Sequence, residues 1–426
     1  MLKFLQYISL TILVSLYYFP IGLSILPASL NTKNVLALAG IFFLLYDCIK
    51  AKHVKISLNL LGSIGLAVVF SLICLYAIDY NRTVDYAYAN YYVSFAVWMF
   101  GAYTVCTAIR YVHGTANFKR ITLYLTAVCF AQCVAAMLID RIPAVQALVD
   151  SYVNQGQEFF EEVDRLYGIG AALDTAGVRF SLVLVMIAAL LVNDTKIRSN
   201  AWYVALLLLA FFTITLIGNM MARTTFLGFG MALAYLAIAT DAWKLVIRER
   251  FFKFFLVFLL ILALGISISV YLYQTDESFY HNMRFAFEGF FNWVEKGEWR
   301  TDSTDKLNRE MWIWPEDTKS WIIGTGLFDN FVYSTDIGYC RFILYCGLSG
   351  FSVFALFFIY NAYIFAQQNK RYALMFFFFV LITFVIWLKV ATDIFVIYAL
   401  FYCLDGIEQK TFARKRVAQP TLATAV

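Results

Sequence analysis

Apolar runs of about twenty residues with few charges recur along this chain, most of them separated by short polar breaks, a pattern that only lipid accommodates. Hydrocarbon about 30 Å thick is crossed by roughly 20 helical residues, because a helix rises about 1.5 Å per residue. Runs of this kind lie at 4–26, 34–49, 57–78, 88–108, 121–139, 176–193, 202–218, 221–239, 254–273, 338–365, 372–388 and 392–407. Only Lys389, Val390 and Ala391 separate the last two, so the count is twelve, or eleven if they form one broken span. Composition agrees: 62% of the residues are hydrophobic and 14% charged, against about 45–50% and 25% in soluble domains. The expected fold is an all-α polytopic membrane protein of about twelve transmembrane helices, with a large helical extracytoplasmic loop before the tenth span. Residues 1–409 form a single membrane domain, and 410–426 form a disordered cytoplasmic tail. The first apolar stretch lacks a convincing small-residue cleavage signal and reads as a span rather than a signal peptide.

The breaks between runs set the orientation. Alternate connections carry Lys50, Lys52 and Lys55; Arg110, Lys119 and Arg120; Lys196 and Arg198; Lys244, Arg248, Arg250 and Lys253; Lys370 and Arg371. The tail adds Lys410, Arg414, Lys415 and Arg416, and with Lys3 this side holds nineteen of the 33 basic residues. The positive-inside rule makes it cytoplasmic, together with both termini. Because the net charge of +5 is segregated in this way, it does not signal nucleic acid. Two loops on the opposite side are long, and long loops in compact domains are usually functional. The loop at about 140–175 is acidic, with Asp140, Asp150, Glu158, Glu161, Glu162, Asp164 and Asp174 against Arg141 and Arg165. The loop at about 274–337 carries Trp293, Trp299, Trp312, Trp314 and Trp321, and its amphipathic pieces at 285–294 and 309–321 are expected to lie at the membrane interface.

Four cations stand in or beside apolar runs: Arg179, Arg223, Arg341 and Lys389. An arginine at mid-bilayer costs about 2.5–3.5 kcal/mol on the lenient insertion scale. All four fall toward the outer ends, where snorkelling lowers that cost, so each alone reads equally as an interfacial anchor. Together with Arg309 in the long loop they read as a site. Converging guanidinium groups match phosphate oxygens bidentately and suit a multiply charged phosphate ligand. Nearby carboxylates are Asp174, Asp302, Asp305, Glu310, Asp329 and Asp336. Asp302, Asp305 and Asp329 read as solvated loop acids, whereas Asp336 abuts a span. His281 reads as a solvated loop residue, and His53 and His113 lie on the cytoplasmic side. The eight cysteines lie in or at the ends of apolar runs without metal-ligand spacing, which makes them small buried hydrophobes.

Four stretches in this order resemble the O-antigen ligase and O-antigen (Wzy-type) polymerase superfamily of membrane glycosyltransferases. They are Arg165-Leu-Tyr-Gly168 with Asp174 to Gly177; Met221-Ala-Arg223-Thr; Arg309-Glu-Met-Trp312 followed by Trp321-Ile-Ile-Gly324-Thr-Gly326; and Asp336-Ile-Gly-Tyr-Cys-Arg341 leading to Gly347 and Gly350. The motif resemblance covers about 165–350, and the span count extends it along the chain. Ligases of the superfamily carry a His-Asn pair where Asp336 and Ile337 stand here, so this chain is similar to a polymerase-type member.

That resemblance implies a metal-independent, cofactor-free transferase in the bacterial inner membrane. It would join polyprenyl-diphosphate-linked repeat units on the outer face, in contact with membrane lipid and with a chain-length regulator protein as a partner. Arg223 and Arg309 would stabilise the departing diphosphate, Arg341 would add a positioning charge, and Arg179 is a further diphosphate ligand. Asp336 would orient or deprotonate the acceptor hydroxyl, or pair with Arg341 or Arg309. The alternatives are a ligase using another acceptor, and a transporter or flippase. Aromatic loop residues fit sugar stacking as well as interfacial anchoring.

Overall fold

The structure, a computed structural model, describes residues 2–405 apart from 26, 28–29, 53–56, 156–164 and 241–248. The 410–426 tail, His53, Glu158, Glu161, Glu162 and Asp164 lie outside the described residues. The elements are α1 (Leu2–Tyr18), β1 (Gly22–Leu23), α2 (Thr32–Ala51), α3 (Leu58–Asn81), α4 (Tyr91–His113), α5 (Phe118–Arg141), α6 (Pro143–Tyr152) and β2 (Val153–Asn154). They continue with α7 (Leu173–Asn193), α8 (Thr195–Arg198), α9 (Ala201–Met221), α10 (Thr224–Ala239) and α11 (Glu249–Thr275). Helices α12 (Glu277–Ala286), α13 (Glu288–Lys296), α14 (Asp302–Glu310), α15 (Thr318–Ile322) and α16 (Asn330–Tyr333) make a cap, before α17 (Gly338–Gln368), α18 (Ala373–Ile386) and α19 (Phe395–Tyr402). The chain is an all-α membrane protein; its one sheet among the described residues pairs Gly22 with Asn154 and Leu23 with Val153.

Eight of the described helices are long and apolar enough to cross a membrane: α2, α3, α4, α5, α7, α9, the 258–275 part of α11, and α17. The other four expected spans hold shorter helices, for local reasons. Helix α1 has 17 residues and stops ahead of Pro20, because the residue before a proline is pushed out of the helical region. Helix α10 has 16 residues and starts at the tight turn through Ala222 and Arg223. Helices α18 and α19, of 14 and 8 residues, are separated by the irregular stretch 387–394 that carries Lys389 and Asp393.

Helix α7 is the centre of the bundle: Leu182 through Leu190 are fully buried, as befits a helix apolar all round. Its closest neighbour is α10. A Cβ on Gly228 would fall 2.1 Å from the Ser181 Cα, and the Ser181 hydroxyl donates to the Thr224 carbonyl at 2.9 Å. Small residues let backbones approach in this way where water supplies no driving force. At the other extreme, none of the 258–275 stretch of α11 is buried. All eight cysteines are free, and all but Cys48 are buried.

Contacts between elements define two ends of the bundle. At one, the Arg110 Nε pairs with Asp405 at 2.8 Å, and Asp405 also accepts the Ala116 N–H. At the other, the cap is sewn on: Arg141 to Asp276 at 2.6 Å, the Asn219 amide to the Ala286 carbonyl at 2.8 Å, and Lys319 to Asn81 at 2.7 Å. The 309–321 stretch is not one helix. Helix α14 ends at Glu310, and Pro315, which lacks an N–H, falls in the irregular backbone before α15. Likewise 285–294 is split at Phe287 between α12 and α13.

Helix α17 is interrupted at Gly347, whose backbone is at φ 65° and ψ −179°. The turn after α15 fills the break: Thr325 N–H donates to the Leu344 carbonyl at 2.7 Å and Gly326 N–H to the Tyr345 carbonyl at 3.0 Å. A Cβ on Gly347 would lie 2.2 Å from the Ile322 carbonyl oxygen. This backbone region belongs essentially to glycine and costs other residues of order 1–3 kcal/mol before any clash. Gly347→Ala is therefore expected to cost at least about 3 kcal/mol and to lower the melting temperature in detergent. Gly65→Ala, on α3 with nothing within 4 Å of the added methyl, is the control and stays near wild type. Equal melting temperatures for the two variants would refute the role given to the break.

Candidate functional site

Three groups of charged side chains occupy the cap end. The first surrounds Arg223, the residue just before α10. Its Nε donates to the Phe285 carbonyl at 3.0 Å, one Nη to the Ser303 hydroxyl at 3.0 Å, and the other pairs with Glu288 at 2.5 Å. The guanidinium lies 4.1 Å from the Phe285 ring centroid, and Arg165 lies 4.9 Å from the same ring. Beside it, Asp174 at the start of α7 accepts from Lys389 at 2.7 Å and from the Thr224 hydroxyl. One carboxylate thus ties α7, α10 and the stretch between α18 and α19 together.

The second group surrounds Arg341 on α17. Its Nε and one Nη donate to the Phe328 carbonyl at 3.1 and 2.8 Å, and the guanidinium lies 4.1 Å from the Phe328 ring centroid. Asp336, Asp329 and Asp85 all act on its charge. Asp85 accepts the Phe328 N–H at 2.6 Å, and Asp336 is exposed. The 302–313 stretch joins the first two groups. Ser303 meets Arg223, Leu307 and Met311 pack on Ile337 and Cys340, and the Thr335 hydroxyl donates to the Met311 carbonyl at 2.6 Å. Arg309 stands on α14 between these contacts, exposed and without a hydrogen bond or ion pair to a described residue.

The third group lies within the bundle. Arg179, half-buried on α7, faces three aromatic rings with its guanidinium carbon 5.5 Å from the Phe19 centroid, 5.9 Å from Trp98 and 6.0 Å from Tyr18. The Lys33 ammonium, at the start of α2, lies 5.0 Å from the same Trp98 ring. Neither cation has a hydrogen bond or an ion pair with a described residue. Asp393 acts on both charges and accepts the Phe395 N–H at 2.9 Å. A guanidinium that has aromatic rings rather than carboxylates beside it keeps its N–H donors free for an anion.

The expected arginines therefore split. Arg223 and Arg341 have donors committed to the cap, Arg309 is unengaged on its surface, and Arg179 is unengaged inside the bundle. Sequence reading passed over Lys33, Trp98 and Asp393. Asp393 carried a signal, an ionisable group near the start of the apolar run 392–407. Lys33 stands in a connection too short to attract notice. Among the described residues, no group of three or more His, Cys, Asp or Glu side chains is placed to hold a metal ion. Of the loop tryptophans, Trp314 stacks on Trp321 at 5.7 Å and lies 5.8 Å from Trp312, while Trp293 and Trp299 form a second pair at 6.4 Å. No family model, curated protein or solved structure matches the chain.

The cap is laced by ion pairs whose carboxylates are held below their ordinary range. A hydrogen bond from Arg141 lowers Asp276, one from Arg284 lowers Glu295, and one from Arg300 lowers Asp305. Depressed folded values contribute stability above the unfolded pKa of roughly 4 and lose it as pH falls through the folded values. Acidification below about pH 4 is expected to open residues 276–337 to an acid-active protease before helicity falls. Arg223→Ala leaves Glu288 unpaired and is expected to raise the cleavage rate of the same region severalfold at neutral pH. Unchanged cleavage in that variant would mean that Arg223 does not hold the cap.

Proposed function

We propose that the chain is a membrane glycosyltransferase of polymerase type, joining polyprenyl-diphosphate-linked repeat units at the cap end of the bundle. The observation that carries this reading is that α14, which runs into the 309–312 motif, meets the 221–224 motif through Ser303 and the 336–341 motif through Leu307 and Met311. These stretches are remote in sequence and bear the resemblance to the polymerase superfamily. In this reading both termini are cytoplasmic and the cap faces outward from a bacterial inner membrane. The chain crosses twelve times, the four shorter helices included. Support comes from the basic residues gathered in alternate connections and from connections that meet alternately at the two ends.

The cations divide the work by what each has left to give. Arg179 and Lys33 carry free donors beside Trp98 and hold the diphosphate of the lipid-linked donor. Arg309 approaches from the cap. Arg223 and Arg341, already bonded to Glu288, Ser303 and the Phe328 carbonyl, hold the cap in place and add positive field. In the reaction the bond between the anomeric carbon and the diphosphate oxygen breaks, and the acceptor hydroxyl oxygen forms the new bond. Asp336 takes the hydroxyl proton, and the diphosphate leaves with the negative charge that the cations stabilise. The acceptor is a sugar hydroxyl of another repeat unit, and the exposed tryptophan rows offer faces for its sugars.

Purified protein given a lipid-diphosphate-linked repeat unit is expected to yield a ladder of longer products. Arg179→Gln and Arg309→Ala should each slow extension by roughly 10²–10³-fold, the cost of deleting one electrostatic stabiliser, with the protein still membrane-inserted. A wild-type ladder from both variants would sink this assignment. Products formed only when a different acceptor is supplied would point to a ligase. One observation favours transport as a second reading: the breaks at Gly347 and at 387–394, the latter with Lys389 and Asp393, since transporters build their sites from interrupted helices. Glycan moved across reconstituted vesicles without any new bond would decide for it.

A further inference from the structure

The end opposite the cap holds a cavity of about 460 Å³ where α5, α8 and the turn from α17 into α18 meet. Three of its lining residues are Lys119, Lys196 and Arg371, one from each of three separate connections. The Lys196 ammonium has no hydrogen bond or ion pair with a described residue. Among the described residues, the Lys119 ammonium faces the Tyr203 ring at 5.6 Å and the Arg371 guanidinium the Tyr372 ring at 5.8 Å, and neither has a hydrogen bond or ion pair. Toward the described residues, the donors of all three cations are unspent.

Two carboxylates share the lining, and neither forms an ion pair with these cations. Asp405 is taken by the Arg110 Nε at 2.8 Å and the Ala116 N–H at 2.6 Å. Asp194 caps α8, accepting the Ile197 N–H at 3.0 Å. The Asn117 oxygen likewise caps α5, accepting the Arg120 N–H at 3.1 Å, which leaves its amide hydrogens to donate. The floor is apolar and fixed: Phe118 lies 4.0 Å from Tyr372 and 6.1 Å from Phe401, centroid to centroid, with all three rings buried.

We propose that this cavity is a binding site for a phosphate ester anion, supplied by the headgroup of an anionic phospholipid. Three unspent cations exceed the single uncommitted charge of Asp194. The aromatic floor, continued by Phe376 and Leu404, offers the apolar surface that the glycerol and first methylenes of a lipid need and that free phosphate does not use. Basic pockets between helix ends recognise lipid headgroups by this combination.

The test is native mass spectrometry of the full chain, delipidated in neutral detergent and titrated with phosphatidylglycerol, with phosphatidylcholine or with inorganic phosphate. The wild type is expected to retain phosphatidylglycerol over phosphatidylcholine. The triple variant K119Q/K196Q/R371Q should lose that preference, weakening on the order of a hundredfold if each cation contributes about one unit of surface attraction. Asp194→Asn, which keeps a capping side chain, should tighten binding severalfold, a gain that misfolding cannot imitate. Equal retention of phosphatidylglycerol by the wild type and the triple variant overturns the site. Tight inorganic phosphate binding that blocks the lipid, with no preference between lipids, overturns the phospholipid as its source.

Discussion

Backbone polar groups released by interrupted helices are the constraint on which the cap end depends. Within a bilayer an unpaired carbonyl or N–H costs several kcal/mol, so non-helical backbone survives only where protein covers it. At Gly347 the cover is the turn 322–326, which meets the Leu344 and Tyr345 carbonyls with its own N–H groups and lends the Ile322 carbonyl to the Ser349 hydroxyl at 2.6 Å. The second interruption, between α18 and α19, is covered by Trp387, whose indole donates to the Thr392 carbonyl at 2.7 Å while its own carbonyl accepts the Tyr339 N–H at 3.1 Å. The cap is thus part of the fold, since α17 cannot remain broken without it.

The same interruptions bring charge to places a continuous helix would leave apolar. Lys389 reaches Asp174 because the chain turns there, and Asp393 approaches Lys33 and Arg179 for the same reason. The cations at this end are of two kinds. Arg223, Arg341 and Lys389 have partners that fix their geometry and hold neighbouring elements together. Lys33 and Arg179 have aromatic faces beneath them and, of the carboxylates, Asp393 acting on both, so their donors remain to be used.

Periodicity and length were enough to read the eight long helices, because a run of about twenty apolar residues has few other fates. The short helices were harder. Their ends depend on Pro20, on the turn at Arg223 and on how 387–394 is covered by distant residues, and hydropathy along the chain registers none of these. The segments 221–224, 309–312 and 336–341 read as site-bearing in the sequence; α14 links the first to the last through Ser303, Leu307 and Met311, of which only Met311 belongs to the motif it carries. Which cations remain free was not legible, because the partners of Arg223 lie 62 to 80 residues away in the cap and the partner of Arg341, 13 residues away, is a backbone carbonyl, which carries no sequence signal. Lys33 was missed for a similar reason: its importance rests on Trp98, from a different helix, which places it beside Arg179.

Charge balance at the cap end links this architecture to the proposed chemistry. Asp174 answers Lys389, and Glu288 answers Arg223, whereas among the described residues Lys33 and Arg179 share Asp393, an excess of one positive charge inside a largely apolar bundle. A half-buried cation without a close anion is costly, and the rings of Trp98, Phe19 and Tyr18 offset only part of that cost, at about 0.5–2 kcal/mol per contact. An anionic ligand removes the deficit, and anything that binds the folded state stabilises it in proportion to its affinity. The strain is therefore placed where binding relieves it. A diphosphate fits this role better than a single carboxylate, because its charge grows as the glycosyl bond breaks and so meets the surplus most fully at the transition state.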